Sequence, residues 1–591
     1  MNQYKKISIY QVFTRLFGNT ITNNKAWGSI EENGVGKFND FTSKALQKIK
    51  DLGITHIWFT GVLHHAVIND YTHYGISNDF PEIVKGRAGS PYAVKDYYNV
   101  NPDLAENPAN RLDEFKELIG RCHQIGLKVI IDIVPNHVAR NYQSISKTSG
   151  ISDFGSNDDT SMVYHRNNNF YYNPGEYYKT PEWLDGYQVL GGNYCSENTY
   201  IEYPAKWTGN GSRLSQPHFY DWYETVKLNY GISPEGHKDF DTLPEDYFFK
   251  SNSEHFHFWK NKNIPDTWKK MREIALYWQN MGVDGFRYDM AELVPVEFWS
   301  YLNSCLKMIN PEFLLLAEVY NPNEYRNFIF NGKMDYLYDK VELYDTLKAI
   351  IRREENTDKI IQIQNNLSDI EHHMLHFLEN HDEQRIASPE FAGNPFYALP
   401  AMVLSACIST SPTMIYFGQE VGEPAAEKAG FGSPSRTSIF DYIGVPNFQR
   451  WVNNKNFDGG QLTDDEIKLR NYYKILLNFT LKNTAITGKY QEIHGHNRAF
   501  TQWYNNHVFS FCRYSDSEKL IIVCNFHQTD TFGFDLEIPP YLIEIWGMND
   551  GDYLLTDQLF DIYKTNLHIS NKLGKVRITI NALESFILKI N

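Results

Sequence analysis

Lys128-Val-Ile-Ile-Asp-Ile-Val-Pro-Asn-His137 is the stretch on which the fold turns. A run this short and this apolar reads as a strand buried on both faces, the kind a parallel sheet needs when helices cover it. Its end is polar, in Asn136 and His137. Just before it, Leu112 to Leu127 places Leu112, Phe115, Leu118, Ile119, Cys122 and Ile125 on one helical stripe. Helix and strand together make one repeat of an α/β architecture.

The same unit recurs outward in both directions. Upstream lie strand one, Ile7 to Leu16, with its helix Phe41 to Leu52, and strand two, Ile54 to Thr60. Downstream come a helix at Thr267 to Asn280, strand four (Val283 to Asp289), strand five (Phe313 to Val319) and strand six (Met334 to Tyr338). Strand seven (Met374 to Leu378), strand eight (Thr413 to Phe417) and a last helix, Asp464 to Leu481, complete the set. Eight such units predict a (β/α)8 TIM barrel. Between residues 138 and 262 the rhythm gives way to Asn, Gly, Ser and Tyr, with Trp183, Tyr187, Trp207, Trp222 and Tyr223 among many rings. This is read as a domain inserted after strand three. From residue 488 short alternating runs such as Val508 to Arg513, Leu520 to Asn525 and Val576 to Ile580 predict an antiparallel β-sandwich. The expected division is therefore 1–137 with 263–487 as barrel, 138–262 as insert and 488–591 as sandwich.

Composition narrows the partners. The 591 residues carry 56 Lys and Arg against 72 Asp and Glu, a formal charge of −16, with no basic run to follow a phosphate backbone, so nucleic acid is excluded as a partner. No stretch approaches the roughly 20 apolar residues of a membrane span. Aromatics make up 15% of the chain, and the 40 Tyr among them suit contact with neutral polar ligands. The six Cys show no CxxC spacing and are expected as buried thiols, with Cys512 and Cys524 the one pair that a hairpin could bring face to face. With no leader before strand one, the chain as it stands reads as cytoplasmic; a leader removed beforehand would make it periplasmic or secreted.

In a (β/α)8 barrel the C-terminal strand ends converge on one mouth. Here they carry Asn136 and His137 on strand three, Arg287 and Asp289 on strand four, Glu318 on strand five, and Asn380, His381 and Asp382 on strand seven. Two residues of strand separate Arg287 from Asp289, which puts both on one face and should keep Asp289 ionised. Glu318 follows Leu314-Leu-Leu-Ala317 and is the carboxyl expected to hold a proton. An ionised and a protonated carboxyl side by side are what retaining glycoside cleavage requires: Asp289 as nucleophile, Glu318 as acid/base. Asp382 would hold sugar hydroxyls, with His137 and His381 donating to the same ring.

Asp132-Ile-Val-Pro-Asn-His137, Gly285-Phe-Arg-Tyr-Asp289, Leu316-Ala-Glu318-Val and Phe377-Leu-Glu-Asn-His-Asp382 resemble the four signature regions of the α-amylase family, glycoside hydrolase family 13. Tyr92-Ala-Val-Lys-Asp96-Tyr-Tyr98 resembles the family's segment after strand two, which assigns sugar stacking to Tyr92. The resemblance implies catalytic Asp289, Glu318 and Asp382, substrate-binding Tyr92, His137, Arg287 and His381, and an α-glucan or maltooligosaccharide substrate, with hydrolysis favoured over transfer to another sugar. It also implies that the insert and the terminal sandwich correspond to the family's domains B and C. The alternatives are a glucanotransferase of the same family and a non-catalytic glucan-binding homologue.

Departures from the family pattern bear on metal. The Lys-His pair that often follows the nucleophile, and helps to bind calcium, is replaced by Glu292 and Leu293, and the short insert motif survives only as Leu243-Pro-Glu-Asp-Tyr247. No cofactor is expected, and calcium only if the amide oxygen of Asn136 takes a hard cation. His64, His65 and His73 are expected at the rim, and the aromatic run Tyr164 to Tyr178 as a source of sugar platforms. Since the chain begins at strand one, without the extra domain through which some relatives dimerise, a monomer is expected.

Overall fold

A computed structural model describes the whole chain apart from residues 1–4, 193, 195–198 and 561–562. Eight parallel strands close a barrel: β1 (Ser8–Phe13), β2 (His56–Thr60), β3 (Lys128–Ile133), β4 (Gly285–Tyr288), β5 (Leu314–Ala317), β6 (Tyr336–Tyr338), β7 (Met374–Phe377) and β8 (Thr413–Tyr416). Every neighbour pairs in sequence order, and β8 returns to β1 through Ser8↔Thr413. The strands are buried almost throughout because each is walled by side chains inside and helices outside. The eight expected strands are all present, most of them trimmed by one to three residues at an end.

The helices follow the apolar stripes. Arg111–Ile125 buries Phe115, Leu118, Ile119 and Cys122, and stops at Gly126, whose φ of 79° lets its N–H turn back onto Cys122 and His123. Asp464–Lys482 starts from a capping box in which Thr463 and Glu466 satisfy each other's backbone N–H. After β5 the covering helix shrinks to a π-turn at Asn327–Asn331.

Beyond β3 the chain leaves the barrel and holds itself together with short ribbons. In one of them His137–Ala139 pairs antiparallel with Thr225–Lys227, setting Lys227 directly opposite His137. Much of the aromatic run beyond residue 164 packs into the core of this region, while Tyr177 stays exposed. Tyr171 stacks on Trp207 at 4.6 Å, and Phe170, Tyr172 and Tyr178 are buried. His64 and His65 are also displaced from their expected place: both are buried in the ribbon Leu63–His65/Val94–Val100, where His65 contacts the Ala88 carbonyl at 3.1 Å. His73 is exposed.

At the C-terminus stand β9 (Lys489–Glu492), β10 (Val508–Tyr514), β11 (Lys519–Asn525), β12 (Phe532–Ile538), β13 (Gly551–Asp557), β14 (Lys564–Ser570), β15 (Leu573–Ile580) and β16 (Ser585–Ile590). They form one antiparallel sheet, hydrogen-bonded in the order β9-β10-β11-β16-β13-β14-β15-β12. Its halves share a core that includes Val523, Leu536, Leu567 and Ile578. Cys512 faces Ile521 and Cys524 faces Phe509, so the β10–β11 register keeps the two thiols apart and free. Cys195 lies outside the described residues.

Candidate active site

The four polar strand ends meet. Tyr92, His137, Asp289, Glu318 and Asp382 line one cavity of about 370 Å³ at the C-terminal mouth of the barrel. Arg287 and His381 lie immediately beneath, both fully enclosed. Parallel register explains the convergence: Arg287 on β4 pairs with Asp132 on β3 and with Leu316 on β5, two residues before Glu318.

Arg287 is the hub. Its Nη1 donates to Asp289 Oδ1 at 3.0 Å and to Asp132 Oδ1 at 3.2 Å, and its Nη2 to Glu318 Oε2 at 2.7 Å. The guanidinium sits among the rings of Trp58, Tyr92 and Tyr338, 5.2 to 5.6 Å from each centroid, and Nε donates to the Tyr338 hydroxyl. Glu318 Oε2 also accepts the Met290 N–H at 2.9 Å, a bond made possible by the left-handed backbone of Met290 at φ 44°. A non-glycine residue in that region is strained by ~1–2 kcal/mol. The strain aims the backbone immediately after Asp289 at Glu318.

The expected pairing of Arg287 with Asp289 is found, but its simple electrostatic consequence is not. One positive charge is divided among three carboxylates. Burial raises the Asp289 carboxyl well above the usual range, Arg287 opposes it, and Glu318, Asp382 and Asp132 push it further up. Its Oδ2 accepts no hydrogen bond. Asp382 behaves oppositely: burial pushes it up, but His381 at 3.0 Å, Arg287 and Arg436 together hold it down at about 2. Three carboxyls share the one guanidinium, and Asp289 feels the negative charge of each of its neighbours.

The two histidines differ in support. His381 is gripped on both nitrogens, Nδ1 by the Gln11 side-chain amide at 2.7 Å and Nε2 by the Tyr92 hydroxyl and Asp382. Tyr92 also lays its ring on the imidazole at 5.4 Å, so one of its faces is taken. His137 touches Asn136 Nδ2 through Nδ1 at 3.0 Å, and burial lowers its pKa to about 3, leaving it neutral. The Asn136 amide cannot be flipped, because Oδ1 accepts from Lys227 Nζ while Nδ2 donates to the Gly209 carbonyl at 2.8 Å. Nδ1 of His137 is therefore the acceptor and Nε2 carries the hydrogen, within hydrogen-bonding reach of the Tyr92 backbone.

That network also corrects the metal expectation for Asn136. Its amide oxygen already serves the Lys227 ammonium, which reaches on to the Leu293 carbonyl at 3.3 Å. A calcium ion at Asn136 would have to displace a buried cation, and the residues do not fit it. Among the described residues no group of three or more His, Cys, Asp or Glu converges as metal ligands.

Several contributors escaped the sequence reading. Lys227, Trp222 and Glu224 lie in the aperiodic insert, while Lys85, Ile439 and Phe440 lie in long loops; all but Lys227 line the cavity. Tyr320, two residues after Glu318, also lines it, and here the period of two was a usable signal.

With this geometry in view, likeness to known proteins is informative. A family model described as the catalytic domain of alpha amylase matches residues 11–529. "Alpha-amylase 3" of Dictyoglomus thermophilum is 22% identical over 90% of this chain and 88% of its own length. A cyclomaltodextrinase from a Bacillus species is 21% identical, covering 71% of this chain and 59% of its own. Among solved structures, the noncanonic maltogenic α-amylase of Thermotoga neapolitana superposes over 99% of this chain and 98% of its own, with a TM-score of 0.59 at 16% identity. The α-amylase of Geobacillus thermoleovorans, solved with acarbose, gives 0.60 at 15% identity over 100% and 99%. Identities this low carry the fold alone; the family rests on the model that spans most of the sequence. The chain belongs to the α-amylase family of glycoside hydrolases, glycoside hydrolase family 13.

Proposed function

We propose that this enzyme hydrolyses α-1,4-glucosidic bonds of maltooligosaccharides or α-glucans with retention, and that residues 1–137 with 263–487, 138–262 and 488–591 act as barrel, insert and terminal domain. Asp289 attacks the anomeric carbon while Glu318 gives its proton to the departing glycosidic oxygen. A glucosyl ester on Asp289 results. Glu318, now ionised, takes a proton from water, the water oxygen bonds to the anomeric carbon, and Asp289 leaves as carboxylate. Asp382 and Nε2–H of His137 hold hydroxyls of the same ring, and Tyr92 packs beside it.

One observation carries this reading: a single guanidinium contacts both Asp289 and Glu318. Two carboxyls tied to one guanidinium are held near each other, which favours the ~5–5.5 Å spacing of a retaining pair over the ~6.5–9.5 Å of an inverting one. In this reading Glu318 supplies the proton and Asp289 the electron pair. A 5-fluoro-α-glucosyl fluoride, which slows breakdown of the ester, should label one peptide containing Asp289. Labelling elsewhere, or inversion at the anomeric centre in the released sugar, would refute the assignment.

A further inference from the structure

The cavity is walled at one end. Glu318 stands on β5, so the leaving group lies on that side and the retained sugar points away from it, toward β1, β2 and β8 on the opposite arc of the barrel. There the loops after β2 and β8 are bonded to each other. Ala88 N donates to the Phe440 carbonyl at 3.0 Å. Arg15, fully buried at the end of β1, ties both loops down by donating to the carbonyls of Ala88 at 3.1 Å, Gly89 at 3.4 Å and Ile439. The approach is so close that a Cβ on Gly86 would come within 2.1 Å of the Phe440 oxygen.

A second tie closes the gap toward the insert. Lys85, on the same β2 loop, pairs with Glu224 at 2.9 Å, and both side chains are largely buried yet line the cavity. Behind them the space is filled with rings. Lys85 sits over Tyr223 at 5.1 Å, Phe440 packs on Phe431 at 4.9 Å, and Tyr187 joins Phe431 to Phe219. Among the described residues, these rings stand across the end of the cavity.

We propose that the site takes a single glucosyl unit on the non-reducing side of the scissile bond, so that the enzyme removes glucose from chain ends. Phe440 forms the back of the pocket, and the Lys85–Glu224 pair meets the terminal hydroxyls, which exist only on an uncapped end. The proposal rests on the hydrolase reading above and adds the direction and the size of each cut.

The test uses the full chain with p-nitrophenyl α-maltoheptaoside, the same compound blocked at its non-reducing end by a 4,6-ethylidene group, and β-cyclodextrin, which has no end. Glucose should appear as the first sugar from the free heptaoside, with the blocked compound and the ring cleaved more than tenfold more slowly. Cleavage of either within tenfold of the free compound, or early release of maltose or maltotriose from the free end, overturns the inference while leaving the hydrolase reading intact. Failure to cleave any of the three overturns the hydrolase reading and this inference with it. Phe440→Ala in a chain that melts cooperatively should raise the ratio of blocked to free cleavage at least fivefold. An unchanged ratio removes Phe440 from the wall.

Discussion

Arg287 contacts Glu318 at 2.7 Å, a shorter distance than the 3.0 Å separating it from Asp289 two residues away on its own strand. The guanidinium is therefore a ruler between the proposed acid and the proposed nucleophile, not the private partner of one of them. Lysine keeps the charge but not the planar fork. Arg287→Lys should lower kcat about 100-fold or more, with a smaller change in KM, because the loss is in the relative placement of reacting groups. Steady-state kinetics on a short maltooligosaccharide decides it, and a loss confined to KM would contradict the role.

Asp289→Asn should abolish turnover, with at least ~10⁴-fold loss in kcat. It should not harm the fold. Asp289 is buried with one oxygen unpaired and three carboxylates nearby, so a neutral isostere relieves repulsion that Arg287 only partly offsets. The expected melting temperature is equal to or above that of the parent chain, and a drop of many degrees would show that the carboxylate holds the barrel together.

The acid limb of activity tests the shared charge. Asp132 lies against Arg287 and raises Asp289. In Asp132→Asn one negative neighbour disappears and Arg287 has one fewer anion to serve. Both effects favour ionised Asp289, so its pKa falls and the acid limb of kcat/KM moves to lower pH, by an amount on the order of one unit. A limb that moves upward, or stays in place while kcat falls, would contradict the coupling.

Lys227 should make the site indifferent to calcium. Dialysis against a chelator is expected to leave activity unchanged within about twofold, and added calcium should not raise it. Lys227→Met leaves Asn136 Oδ1 without its donor, frees the amide to rotate and unsettles the His137 tautomer, for an expected loss on the order of tenfold in kcat/KM. A tenfold fall on chelation that calcium restores would show the metal reading of Asn136 to be right after all.

The barrel and the polar residues at its mouth were readable in the sequence for one reason: buried parallel strands are apolar runs, and a polar residue at such a run's end has few places to go but the mouth. Asp289, Glu318 and Asp382 are found that way. What stayed hidden lies where no period operates. Lys227 acts through a ribbon pairing that only the folded insert creates, and Phe440 through a loop that meets the β2 loop from across the chain. The sharing of Arg287 was hidden as well, because sequence adjacency to Asp289 says nothing about Asp132 and Glu318 claiming the same guanidinium. Cys512 and Cys524 are the free thiols expected, and it is the turn between Tyr514 and Lys519, which strand patterning does not specify, that sets them out of register.

In the pocket proposed above, the bonds that join the Ala88 and Phe440 backbones leave one way in and out. Each freed sugar has to leave by the opening through which the polymer came in, so the remaining chain must let go before the next cut, and sliding along one strand is ruled out. Throughput then counts termini, not mass. At equal weight, a short or heavily branched glucan would be consumed faster than a long unbranched one, in proportion to the number of tips it offers.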